Sequence, residues 1–330
     1  MQKIDLLFAD QSRRARWSFL LYPFSQIYRG ALILRHKLYQ WGIFQIKQGD
    51  IPVVCVGSIF VGGSGKTPFV RLLLEHLPQK TWVLTRGYRE LDEPLFYLNC
   101  VVEKDRLWGV KRCFEQGARL VVMDDGLQHF RLRKDLNVAL LTQEQIEKEW
   151  AFLPLGSLRD LPKTLHQVDY IVLHEIQNKE AYEKAKCFLS KYEAKRFIGT
   201  QTEFLGFFTQ LGESVPKMEK AILLSSIARA HRFKELIEAQ GVEVLDHTIL
   251  ADHGKILDEE LDALIVKADA LGASFVITEK DAVKYPLDKR MVQAKIGTRI
   301  VYDKENFVHL VDKISDVVAE KREKNVSTAH

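Results

Sequence analysis

Between Val56 and Leu77 the chain reads VGSIFVGGSGKTPFVRLLLEHL. Three glycines, Gly62, Gly63 and Gly65, stand just before Lys66 and Thr67, and glycine lets a chain turn tightly without a Cβ clash. The backbone N–H groups of Gly62, Gly63, Ser64 and Gly65 can then face an anion, with a helix N-terminus behind it and a cation in front. This is the chemistry of held nucleotide phosphates, with Lys66 reaching the β- and γ-phosphates and the Thr67 hydroxyl ligating Mg²⁺. Pro68 falls in the first helical turn, where a missing N–H costs little. The pattern G-x-x-x-x-G-K-[ST] asks for Gly at position 60, where this chain has Phe60; the glycines have moved to 62 and 63.

A second constellation follows in RLVVMDDGLQH, residues 119–129. Four apolar residues run into Asp124 and Asp125, as in a strand that delivers an acid to a bound metal. Neighbours on a strand face opposite sides, so the two acids take different jobs. One approaches the Mg²⁺ sphere opposite Thr67, and the other holds a lysine, a water or the acceptor. Gly126 permits a sharp turn, after which Gln128 and His129 project toward the same cleft. A plainer reading has the acids cap the next turn. Arg86 and Arg89 follow another apolar run, TWVLT; Arg forks suit phosphate, although a solvated turn explains them as well.

Such residues need a rigid frame. VVCVG (53–57), TWVLT (81–85), RLVVMDD (119–125), LNVALLT (136–142) and DYIVLH (169–174) read as strands, and the stretches after 66, at 110–117 and at 180–192 read as helices. Alternating strands and helices imply an α/β fold, a P-loop NTPase-like parallel sheet with helices on both faces. Ligands bind at the carboxyl ends of such strands, where all the polar motifs fall. A looser stretch near 202–220 precedes a second αβ series, AILLSS, RFKELIEAQG, VEVLDHTIL and SFVITE. The expected organisation is an N-terminal segment (1–50), a phosphate-loop domain (51–205), a smaller α/β domain (206–318) and a polar, disordered tail (319–330).

The 330 residues are 46% apolar and 28% charged, ordinary values for a globular protein. The net charge of +4 is concentrated at the start, where residues 1–50 hold eight Lys/Arg against three Asp. Basicity of the nucleic-acid-binding kind is absent. Cys55, Cys100, Cys113 and Cys187 form no C-x-x-C pair, so disulfides and zinc are not expected and a reducing cytosol fits. The N-terminal run is interrupted by Pro23, Gln26 and Arg29, which excludes a secretory signal and a spanning helix. Its Trp, Tyr and basic residues suit a membrane surface; a helix packed on its own domain is the other reading, and the phosphate-binding pattern favours the membrane.

VGSIFVGGSGKTP, LTRGYR, DEP, DDGLQH, LPLGSLRD, ADH and TEKDAVK resemble, in type and order, the motifs of tetraacyldisaccharide 4′-kinases. The resemblance implies transfer of the γ-phosphate of ATP, with Mg²⁺, to the 4′-hydroxyl of an acylated glucosamine disaccharide 1-phosphate. The setting it implies is the cytoplasmic face of a bacterial inner membrane, met through the N-terminal segment. By position it matches Lys66 and Thr67 to the phosphate and Mg²⁺ roles and Asp124, Asp125 and Gln128 to the acidic site motif, which with Thr67 would hold the Mg²⁺; Lys66 and Asp125 also count among the catalytic residues. It matches Asp92 to the acid that activates the acceptor hydroxyl and His253 to its partner, a pair that meets on domain closure. Arg86, Arg89 and His129 are then candidates for the substrate. TEKD (278–281) stays outside the catalytic set, and no obligate protein partner is implied. Two other readings are a partitioning or metal-delivery ATPase, disfavoured by Val61 where its signature lysine would stand, and a soluble small-molecule kinase, which leaves the basic, Trp-rich N-terminus without a role.

Overall fold

The computed structural model describes residues 11–87, 97–193, 196–216, 218–227, 229–251 and 254–327. Arg89, Asp92 and His253 lie outside the described residues. The chain forms two compact units. The larger takes in most of the chain up to Thr202 and resumes at Thr298, and the smaller is chiefly Glu203–Gly297.

In the larger unit a long helix, α1 (Gln11–Gln40), leads into β1 (Val53–Gly57), α2 (Lys66–Leu74), β2 (Thr81–Thr85), β3 (Cys100–Val102), α3 (Arg106–Glu115) and β4 (Leu120–Asp124). Then come β5 (Leu136–Thr142), the short α4 (Gln143–Glu147), β6 (Tyr170–His174), α5 (Lys179–Ser190) and β7 (Arg196–Thr209). The strands are parallel, in the order β3-β2-β4-β1-β5-β6-β7. Every residue of β1 is buried, as expected of a strand covered on both faces. Cys55 and Met123 pack with Val110 and Cys113 of α3, while α2 lies against β1 and β4.

The smaller unit adds β8 (Lys220–Ser225), α6 (Ala230–Glu238), β9 (Glu243–Ile249), α7 (Asp258–Ala270), β10 (Ser274–Thr278), the one-turn α8 (Glu279–Ala282) and β11 (Met291–Tyr302). Its order is β7-β11-β10-β8-β9. Alternation along β10 splits its core: Val276 packs with Phe233 and Ile237 of α6, and Phe275 and Ile277 pack with Leu261 and Ile265 of α7. The TEKD segment is structural. Buried Asp281 accepts hydrogen bonds from Ser226 N (2.9 Å), Thr278 Oγ1 (2.7 Å) and Lys284 Nζ (2.8 Å), tying the end of β8 to α8.

Three boundaries differ from the sequence reading. The stretch from 202 is no loop, because β7 continues to Thr209 and, with β11, runs from one unit into the other. The chain after Thr298 returns to the larger unit. There α9 (Lys304–Ser327) extends past residue 319 as helix. It is anchored by Phe307 against Phe69 (6.3 Å between ring centroids) and by Lys321, whose Nζ donates to Ile51 O at 3.1 Å and lies 3.5 Å from Asp135.

The N-terminal helix is not a separate domain. Ser25, Leu32 and His36 form a buried stripe at helical spacing. Ser25 Oγ donates to Phe152 O (2.9 Å), Tyr28 Oη to Arg159 O (2.9 Å) and Arg35 to Gln128 O (2.7 Å), while His36 bonds buried Asp160 at 2.8 Å. The opposite stripe, Leu20, Phe24, Ile27 and Leu34, is exposed, as is Phe19 at 85%.

Candidate active site

The site stands at the carboxyl ends of β1 and β4. Beyond Gly57 the chain loops through 58–65 and enters α2 at Lys66. Gly62 (φ 98°) and Gly65 (φ 77°) occupy left-handed backbone that other residues adopt at a cost. A Cβ on Gly65 would also come within 2.5 Å of the His174 ring, so the loop is seated against the end of β6. The departure at position 60 has a packing cause: Phe60 is buried and meets Trp150 edge-on at 5.3 Å. Val61 N donates to Ser157 O at 2.9 Å. The loop is thus anchored ahead of the glycines, which are left to shape the cradle.

The register Val56↔Asp124 brings the first acid level with the end of β1. Thr67 Oγ1 donates to Asp124 Oδ2 at 3.3 Å, and Tyr97 Oη donates to the same oxygen at 2.9 Å. Asp125 turns away into left-handed backbone (φ 59°) with its N–H on Val56 O at 2.8 Å. There Arg159 grips it as a fork, Nη1 to Oδ2 at 2.7 Å and Nη2 to Oδ1, while Arg159 Nη2 also donates to Ser58 O at 3.0 Å. Lys66 Nζ lies 3.7 Å from Asp125 and 3.4 Å from Ser64 Oγ. Burial raises the Asp125 carboxyl, but Lys66, Arg159 and Arg106 outweigh it and hold the group below its ordinary range. A carboxylate so paired is a poor proton acceptor. The two acids stand in different surroundings, Asp124 beside the Thr67 hydroxyl and Asp125 beside the cations.

Gln128 and His129 follow the turn at Gly126. The Gln128 amide nitrogen donates to Ser58 O at 2.9 Å and reaches Asp160 at 3.4 Å, which holds the turn to the β1 loop. His129 is pushed down to about 4 by burial and by the cations Arg106, Lys134, Arg35 and Arg86, so its ring is neutral at pH 7 in a field that favours anions. Arg86 is exposed at the end of β2.

Sequence reasoning did not single out Arg159, Arg106 or Tyr97. Arg159 lies 34 positions from the acid it grips; it stands inside the LPLGSLRD motif, but nothing in that stretch says which group it meets. Arg106 opens α3 behind the N-cap Asp105 and is buried, its Nη2 donating to Asp124 O at 3.3 Å.

The donors present fit Mg²⁺. Thr67 and Asp124 offer hard oxygens side by side, and Mg²⁺ is typically held by one or two carboxylates together with substrate phosphates. Among the described residues no group of three or more His, Cys, Asp or Glu side chains gathers that could hold a metal ion by itself.

Comparison with known proteins agrees with this geometry. The profile of the family described as tetraacyldisaccharide-1-P 4′-kinase matches residues 17–98 and 91–316. A tetraacyldisaccharide 4′-kinase of Haemophilus influenzae is 27% identical, over 92% of this chain and 96% of its own length. One of Cytophaga hutchinsonii is 30% identical, over 80% of this chain and 84% of its own length. The fold is shared with the crystal structure of LpxK from Aquifex aeolicus in complex with ATP, at TM-score 0.70 and 24% identity, covering 92% of this chain and 99% of that one. With a phosphate loop, a paired-acid strand end and a family profile spanning most of its length, the chain belongs to the tetraacyldisaccharide-1-P 4′-kinase family.

Proposed function

We propose that the chain transfers the γ-phosphate of ATP to the 4′-hydroxyl of an acylated disaccharide 1-phosphate at a membrane surface. The observation that carries this reading is the arrangement of Lys66, Thr67, Asp124, Asp125 and Arg159 around the N-terminus of α2. In the proposed mechanism the N–H groups of residues 62–67 and Lys66 bind the phosphates. Arg159 fixes Asp125, and Asp125 aims the Lys66 ammonium. Thr67 and Asp124 would hold Mg²⁺, which when bound supplies charge neutralisation at the transferring group. Arg86 and neutral His129 stand where a further anionic group of the substrate is favoured. Asp92 takes the acceptor proton and His253 orients Asp92; this assignment rests on the match to the family's motifs.

The exposed stripe of α1 gives this reading its membrane contact. Leu20, Phe24 and Ile27 face outward on the helix whose other side is bonded to Arg159 and Gln128. Among the described residues no helix is long and apolar enough to cross a membrane, so the proposed contact is interfacial. Phosphorus NMR of the lipid product made from ATP, Mg²⁺ and a tetraacyl disaccharide 1-phosphate tests the proposal. A second phosphomonoester, coupled to the 4′ carbon, is expected. Release of inorganic phosphate with the lipid unchanged would favour the ATPase switch instead.

A further inference from the structure

Tyr97 stands outside the motifs that mark the site, yet its side chain ends on one of the site's acids. Its Oη donates to Asp124 Oδ2 at 2.9 Å, and Thr67 Oγ1 donates to the same oxygen at 3.3 Å. Tyr97 is 7% exposed and Asp124 3%, so the bond between phenol and carboxylate is shielded from bulk water. The two residues are 27 positions apart, and they meet because the fold brings the chain ahead of β3 to the end of β4. A buried phenol takes a partner for its hydroxyl. Here the partner is the carboxylate that, with Thr67, would hold Mg²⁺.

That carboxylate needs an outside guide. The last torsion of an aspartate is broad, with no sharp rotamer to fix the plane of its oxygens. Arg106 steadies the main chain through Asp124 O at 3.3 Å, and Arg159 grips the neighbouring Asp125. Neither of these bonds sets the plane of Asp124. The Thr67 hydroxyl bonds it at the longer distance, and its oxygen is the one proposed to ligate the ion. The Tyr97 hydroxyl makes the shorter bond, from a ring that burial holds in place.

We infer that Tyr97 is a positioning residue for the Mg²⁺ site: its hydroxyl holds the Asp124 carboxylate in one plane beside Thr67. Partners that orient a metal-ligating side chain are worth roughly 10–100-fold in metal affinity. This role rests on the proposed binding of Mg²⁺ by Thr67 and Asp124, and names the group that aims the second of them.

Titration of Mn²⁺, read by EPR, into the full chain with a non-hydrolysable ATP analogue bound tests the role, the analogue being held below the protein concentration. Tyr97→Phe keeps the ring and its packing and removes the bond. It should weaken Mn²⁺ binding by at least about tenfold. Its affinity for the analogue in EDTA should match that of the wild type. In turnover, the Mg²⁺ concentration for half-maximal rate should rise by the same factor, and excess Mg²⁺ should restore kcat. Asp124→Asn, run beside it, tests the metal site itself. Weak Mn²⁺ binding by Asp124→Asn with wild-type binding by Tyr97→Phe would overturn the role of Tyr97 and leave the metal site in place. Wild-type binding by Asp124→Asn would remove the metal site and the role of Tyr97 together. Poorer analogue binding by Tyr97→Phe in EDTA, in step with the loss of Mn²⁺, would mean a general loosening of the site and would also overturn the assignment.

Discussion

Arg159 sets the electrostatics of the phosphate loop from a distance. Its guanidinium takes both oxygens of Asp125 and also the carbonyl of Ser58, the first residue after β1. Removing it leaves a partly buried carboxylate with only Lys66 and the field of Arg106 to offset its charge. Arg159→Ala should therefore lower kcat roughly 10²–10³-fold, as loss of a preorganised charge does, and cost about 2 kcal/mol in denaturant unfolding. Arg159→Lys, which keeps the charge and loses the fork, should recover stability more than turnover. His129 offers a test through pH. Its folded value of about 4 lies below the ordinary value near 6.5, so between the two the unfolded chain binds more protons and stability falls as pH falls. His129→Asn should remove that component: the melting-temperature gap between variant and wild type should move in the variant's favour from pH 7 to pH 5. A constant gap would mean the ring titrates normally.

At the scale of elements, α1 is two-sided. Ser25, Tyr28, Arg35 and His36 bond it to the loops that carry Arg159, Asp160 and Gln128, while Leu20, Phe24 and Ile27 face out. Phe24→Asp with Ile27→Asp should release the protein from vesicles of either charge without altering its melting temperature; unaltered sedimentation would remove this face from membrane contact. Much at this scale was legible beforehand. The run VVCVG, the G-G-S-G-K-T turn and the apolar face of α2 announce a strand, a loop and a helix through local physics: β-branched burial, glycine turns and a 3.6-residue period. The two readings of the N-terminal segment prove compatible, because a helix has two faces and the sequence leaves open which one is covered. Gly65 shows what local patterning misses. Its place in a tight turn was expected, but the His174 ring 2.5 Å from a Cβ placed there is a contact across 109 positions.

Over the whole molecule, the parallel α/β architecture followed from alternating strands and helices, and the unit boundaries did not. β7 and β11 are long strands whose mixed burial hides them among polar and aromatic residues. The polar end of the chain becomes helix because Phe307 and Lys321 find partners hundreds of residues away, at Phe69 and Ile51. Such pairings are set by the fold and carry no mark in nearby sequence. The candidate site divides the same way. The glycine-rich turn, Thr67 and the paired acids stand out as motifs, and Arg159 lies within another; that Arg159 and Arg106 meet the acids emerges only in three dimensions, and Asp92 and His253 keep the roles proposed from their motifs. The central claim is that this cradle delivers the γ-phosphate of ATP to a lipid-borne hydroxyl. The most direct measurement is transfer of label from γ-radiolabelled ATP into the organic-extractable fraction, with Mg²⁺ and the acylated disaccharide 1-phosphate, by wild type and by folded Lys66→Ala. The account predicts labelled lipid from the wild type and at least a roughly 10³-fold lower rate from the variant; equal rates from the two, or label appearing only as inorganic phosphate, would contradict it.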